Sequence, residues 1–309
     1  MIFKGNVGMT MIKAAAAGYG VDEFVTQWEI PDEEFTFPVK AGASYDCEID
    51  FGEGDGWVSC TAWDDSNFTH TYSSAGTYNI RIKGTFTHIY INSSETISDY
   101  ITRIVQWGDV GFTSLDYAFA GADNLRYCDD DSGTFGSNVA LWRAAFLHTD
   151  LRDFDTTNWD LGSCTNMMAA FAYSDAATLN TTNWDVADVE YFIQTFKEMK
   201  NLTTIDTAGW NVGSATTMDE MFRNCTALKE IDVSTWDVSN VGNFDNFGKG
   251  IVLNTHCYND LLLNWQNLTL QSGMAMNMGG TKYSSGAPAT AKADIISNYS
   301  WSFSDGGEE

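Results

Sequence analysis

Two groups of carboxylates offer the clustered oxygen ligands that a hard cation requires. One is Asp129-Asp130-Asp131, which precedes Ser132-Gly133; the other is Asp50, Glu53 and Asp55 around the glycine-dense turn Gly52-Glu53-Gly54-Asp55-Gly56. Calcium is the cofactor either could take, but neither follows EF-hand spacing, and a solvated acidic loop is the plain alternative. Stacking on a sugar is the second chemistry on offer. Trp57, Trp63 and Trp142 fall outside the repeating register described below, so their rings are the ones free to contact a ligand. Trp57 and Trp63 lie in a glycine-rich stretch where exposed loops are expected.

Catalytic sets are not legible. His70, His88, His148 and His256 stand apart from one another, and no Gly-x-Ser-x-Gly or phosphate-binding loop accompanies them. His70 is expected to hydrogen-bond a turn. With 42 acidic residues, a pair of carboxylates singles out no glycosidase site. The six cysteines contain no CxxC and do not suit a zinc site. Cys128, Cys164, Cys225 and Cys257 read as buried free thiols. Cys47 and Cys60 flank a turn and could pair across strands or stay reduced.

A net charge of −26 argues against nucleic acid, whose phosphates need Lys and Arg, and against an anionic membrane surface. No apolar run is long enough to cross a bilayer. The stretch Met9 to Ala17 is interrupted by Lys13 and fits a secretory signal poorly. It is expected instead to form two helical turns in a docking segment, residues 1–21.

The elements that would position these residues are repeats. Phe119, Phe146, Phe171, Phe196, Phe222 and Phe247 follow one another at 27, 25, 25, 26 and 25 residues. Trp107, Trp159, Trp184, Trp210 and Trp236 precede most of them by 11 or 12, with Thr134-Phe135 in the one unit lacking a tryptophan. A period of this length denotes units that bury their apolar faces only by stacking. Strict register places these rings in the core. Leu202 to Asp206 and Leu228 to Asp232 share Leu-x-x-Ile-Asp, a short strand; Thr217 to Phe222, with apolar residues at 218, 221 and 222, predicts a short helix. Residues 254–309 read as a cap, with a helix over Tyr258–Trp265, a second after Tyr283, and a strand over Trp301–Gly307.

Residues 22–100 read as all-β. Alternation predicts strands over 35–39, 45–51, 77–82 and 88–91. Ile49-Asp50-Phe51-Gly52-Glu53-Gly54, His70-Thr71-Tyr72 and Ala75-Gly76-Thr77-Tyr78-Asn79-Ile80 resemble the motif series of PKD-like sandwich domains, with Phe51 and Glu53 where that family has Trp and Asp. In the repeats, Trp236-Asp237-Val238-Ser239-Asn240-Val241, Met218-x-x-Met221-Phe222, Asn224-Cys225-x-x-Leu228 and Ile231-Asp232-Val233-Ser234 resemble the BspA-like surface-protein family. The resemblance implies a mainly β chain with short helices: an Ig/PKD-like sandwich (22–100), a leucine-rich-repeat-like solenoid (101–253) and a C-terminal cap. It also implies adhesion, in bacterial surface proteins and some phage structural proteins.

The expectation is therefore a non-enzymatic virion protein of a phage, a decoration or fibre component. Its partners would be other virion proteins through residues 1–21, and host or environmental glycans or proteins through the solenoid; a homo-oligomer is compatible. A secreted adhesin of a bacterial cell surface is the alternative, and a carbohydrate-active enzyme the third reading.

Overall fold

The computed structural model describes residues 18–31, 34–92, 96–129, 135–154 and 156–309. The helix expected within 9–17, and Asp130 and Asp131 of the acidic run, lie outside the described residues. The chain is mainly β with short helices.

The N-terminal layer holds β1 (Phe24–Ile30), β2 (Glu34–Thr36), β3 (Tyr45–Asp50), β4 (Val58–Cys60), β5 (Thr69–Thr71), β6 (Gly76–Phe86) and β7 (Ile101–Gln106). Alternation decides which faces are buried: Ile80, Ile82 and Phe86 of β6 and Tyr45, Cys47 and Ile49 of β3 point to one core. β1 pairs antiparallel with both β6 and β7, and β3 with β4 and β6. β2 and β5 form a small antiparallel pair of their own. Trp28 of β1 meets Phe35 and Phe37 edge-on at 5.2 and 5.6 Å, which joins the two sheets. Of the strand expected over 88–91, the described pairing is one bridge, Ile89 to Val39. Cys47 and Cys60 face each other directly in the β3–β4 register as buried free thiols. The Cys47 thiol beside it, and then burial, push Cys60 far above the usual range, so it stays protonated.

No gap separates this layer from the repeats. β7 is the edge of the antiparallel sheet and also pairs in parallel with β8 (Tyr127–Cys128), which pairs with β9 (Asp153–Phe154). β10 (Thr178–Leu179) and β11 (Thr204–Ile205) form the corresponding parallel pair further on. A second line of parallel bridges runs Ser114, Leu141, Asn166, Tyr191, Thr217, one residue from each coil.

The helix expected over 217–222 is absent, because the backbone solves the same burial pattern differently. Two turns follow one another in each coil, closed for example by Met221 N–H to Met218 C=O and Cys225 N–H to Phe222 C=O. The third residue of each turn is left-handed: Glu220 and Asn224 here, Gln194 and Glu198, Ala169 and Tyr173, and Ala144 and His148 in other coils. Reversing handedness every fourth residue frees alternate N–H groups to point along the stack. Gln194, Phe196 and Glu198 thus donate to Asp219, Met221 and Arg223 of the next coil at 2.7–3.0 Å. A helix would have spent those donors within its own coil.

Two columns of rings fill the interior. Trp159, Trp184, Trp210 and Trp236 stack in parallel at 6.2, 6.1 and 5.9 Å, all 1–3% exposed. Phe135 substitutes for tryptophan and lies 3.7 Å from Trp107. Phe119, Phe146, Phe171, Phe196 and Phe222 form the second column at 5.3–5.9 Å. Phe247 is a correction. Phe222 N–H donates to the Phe247 carbonyl as Phe196 N–H does to Met221, so Gly248 holds the column position and Phe247 sits one place earlier. Its ring accordingly meets Phe222 edge-on, at 83°. Beside the indoles, Thr156, Thr181 and Thr207 are wholly buried, and each hydroxyl donates to a backbone carbonyl of the next coil.

Residues 254–309 contain α1 (Thr255–Trp265), β12 (Ala275–Asn277), α2 (Ala287–Tyr299) and β13 (Ser302–Ser304). Leu261, Leu262 and Trp265 are buried, as their spacing predicts. Trp265 Nε1 donates to Val233 C=O as Trp236 Nε1 does to Thr207, so α1 sets one more indole at the end of the column. The parallel ladder also continues: Gly248 N–H reaches Asn277 C=O, Met278 N–H reaches Ser304 C=O, and β12 pairs with β13.

Ala169→Gly is expected to stabilise the chain. Relief of a left-handed alanine gains about 1–2 kcal/mol, and the freer unfolded glycine returns about 0.5–1 kcal/mol. Urea unfolding checks this, and Ala169→Val should shift the midpoint the other way. A second expectation concerns His88, which is buried, bonds Asp116 C=O through Nε2 at 2.8 Å, and has Lys40 nearby. Burial holds its pKa below the ordinary value. The unfolded chain therefore takes up the proton first, near pH ~6.5. His88's contribution is whole above that pH and is lost as pH falls toward the folded value. The urea midpoint should drop as pH falls through ~6.5, and His88→Gln should flatten that slope.

Candidate functional site

The glycine-dense turn after β3 brings chemistry together. Asp50 ends β3 and is spoken for: Arg81 of β6 and the Gly52 N–H bind its two oxygens. Gly52 must be glycine, since its φ is +85° and a Cβ there would lie 2.7 Å from Asn79 O. The turn then presents Glu53 and Asp55 to His70 of β5. Glu53 Oε2 lies 2.8 Å from His70 Nε2, and Glu53 Oε1 accepts from Ser73 Oγ and Ser73 N–H at 2.7 and 3.2 Å. These bonds hold the Glu53 carboxyl below the usual range, His70 first and Ser73 second. The imidazole stacks on Phe51 at 4.8 Å and meets Tyr72 edge-on at 4.7 Å. The expectation that His70 hydrogen-bonds this turn is met. The ligand atoms of Glu53, Asp55 and His70 all lie within 4.8 Å of one another.

The other acidic candidate behaves differently. Asp129 is engaged on both oxygens by Arg103, at 2.7 and 2.9 Å. This is one of several ion pairs between successive coils, with Arg126 to Asp150 and Arg143 to Asp116. Arg103 thus neutralises Asp129 in place of a calcium ion; Asp130 and Asp131 lie outside the described residues.

The three candidate tryptophans separate. Trp142 is a correction: it is fully buried, donates to Val139 C=O, and packs 5.1 Å from Trp159, so it cannot reach a ligand. Trp57 is half-buried, with Arg81 and Lys83 over its ring at 4.7 and 4.3 Å. These cations occupy the surface a sugar would need. Trp63 remains 45% exposed. It borders a groove of about 510 Å³ walled by Phe35, Phe37, Tyr90, Ile97 and Tyr100. Trp63 is legible in the sequence, but this wall is not, because its members come from segments distant in the chain.

A thiol and an imidazole also meet, Cys257 Sγ and His256 Nε2 at 3.5 Å. Burial pushes the Cys257 thiol up, and Glu230 and Asp260 push it further, the reverse of what a nucleophilic cysteine needs.

A family described as a Mycoplasma protein of unknown function, DUF285, matches residues 138–265. The match runs from Asn138 to Trp265 and stops short of the N-terminal layer. No curated protein and no solved structure matches the chain.

A charge test separates the two tryptophans left at the surface. Lys83→Ala should uncover the Trp57 ring and raise acrylamide quenching of its fluorescence, read against a Trp57→Phe control. The Trp63 contribution should stay unchanged.

Proposed function

We propose that this chain is a non-enzymatic adhesive or structural protein that displays a repeat stack outside a cell, as a component of a phage particle. In this reading a PKD-like sandwich carries a leucine-rich-repeat-like solenoid, and residues 1–21 dock onto other virion proteins. One observation carries the adhesive part. The aromatic rings in register are consumed by the stack, at 0–5% exposure, whereas Trp63 stands open beside an aromatic-walled groove. A ring-lined cleft with few charges suits the apolar faces of a glycan, with Glu34 and Asn92 at its edge to accept and donate hydrogen bonds. The parallel ladder supports the solenoid, because each coil's free donors are satisfied by the next.

The second reading is an adhesin of a bacterial surface. The repeat match to a family described from Mycoplasma, a cell rather than a virus, favours it. Both readings use the same groove and differ in what the chain is attached to. Mass spectrometry of purified particles separates them.

Trp63→Ala is expected to reduce binding to a bacterial-surface glycan array or to intact cells by about 30-fold, the scale for an exposed aromatic anchor. Its unfolding midpoint should stay within about 0.5 kcal/mol of the parent, as for other surface changes. Undiminished binding by this variant contradicts the groove's role.

A further inference from the structure

We propose that Glu53, His70 and Asp55 form a binding site for a divalent transition-metal ion, of which zinc is the best match. The donor set is one imidazole and two carboxylates that converge within 4.8 Å. Imidazole suits zinc and its neighbours, whereas calcium asks for six or more oxygens. Asp50, the further oxygen source nearby, is held by Arg81 and Gly52 and adds nothing to a calcium shell.

Two of the three ligands are already fixed by their surroundings. Ser73 holds Glu53 through Oε1 and leaves Oε2 facing inward. Phe51 and Tyr72 hold the His70 ring on its face and edge, so Nε2 points at Glu53 Oε2 from 2.8 Å. Such outer contacts are what orient metal ligands and raise their affinity. Two ligands on a tetrahedral zinc stand roughly 3.3 Å apart, given bonds of about 2.0–2.1 Å. The pair therefore needs to open by only about half an ångström to admit the ion. Asp55 is exposed in the turn and free to swing onto it as the third ligand. His70 must present Nε2 without a proton, so the ring proton moves to Nδ1 when the metal takes the place of the Glu53–His70 hydrogen bond. A cavity of about 100 Å³ lined by these residues with Val58, Asn67 and Thr69 leaves room for water in the fourth position.

The site does not depend on the adhesive reading, because it lies between the turn after β3 and strand β5 and shares no residue with the Trp63 groove. The test is calorimetric titration of the full chain, stripped with chelator, using zinc chloride and then calcium chloride. The expected result is saturable uptake of one zinc ion per chain and no saturable calcium binding. His70→Gln should abolish the zinc isotherm. Asp55→Asn, an exposed change that leaves the Glu53–His70–Ser73 contacts in place, should weaken zinc by at least ~10-fold. A chain that takes up no zinc saturably overturns the site. So does zinc uptake of undiminished strength in Asp55→Asn, and so does calcium saturating in place of zinc.

Discussion

Trp184, Trp210 and Trp236 lie face to face about 6 Å apart, and each is covered only because the coils on either side supply its walls. A coil of some 25 residues has no interior of its own, so this column of indoles is the constraint the rest of the structure obeys. The indole N–H groups of Trp210 and Trp236 are carried along with it, each donating to a threonine carbonyl one coil back. Threonine recurs there because its hydroxyl satisfies the carbonyl of the following coil; Val233 takes the position where α1 packs instead of another threonine coil. Left-handed turns are the backbone's answer to the same demand, turning alternate donors toward the neighbour.

Stacking also explains how the first layer is attached. β7 belongs to the antiparallel sheet by its β1 edge and to the parallel ladder by its β8 edge. The coils therefore grow from a sheet edge that would otherwise stand open. The Trp63 groove and the Glu53–His70 pair both lie in that first layer, on β2, β5 and the segments that join its strands. The column residues are too deeply committed to packing to contact anything else.

Much of this was legible in the sequence. The ring spacing marked the coils, and alternation marked β3 and β6. What was not legible has specific causes. The pattern of Met218, Met221 and Phe222 is apolar at i, i+3 and i+4, which a short helix and a pair of turns satisfy alike. Left-handed Ala169 and Tyr173 carry no glycine or asparagine signal; Gly121, Asn224, Asn246 and Gly250 in other coils hinted at it. Phe247 kept the period by count while Gly248 held the place; Trp236 to Gly248 restores the spacing of 12 seen from Trp210 to Phe222. Trp142 lacked the register of its fellows and was still core, because it fills space beside Trp159. Asp129 looked free because its partner, Arg103, lies one coil earlier. His70 could be assigned to a turn, but its approach to Asp55 depends on three positive-φ glycines whose winding sequence does not reveal.

The most direct measurement of the central claim is equilibrium unfolding of Trp210→Ala against the parent. If the indole column holds the coils together, the substitution costs about 3–5 kcal/mol, the scale for removing a buried aromatic ring. A loss below about 1 kcal/mol, the range of surface changes, would mean that Trp210 is not a structural member of the stack and would contradict the account.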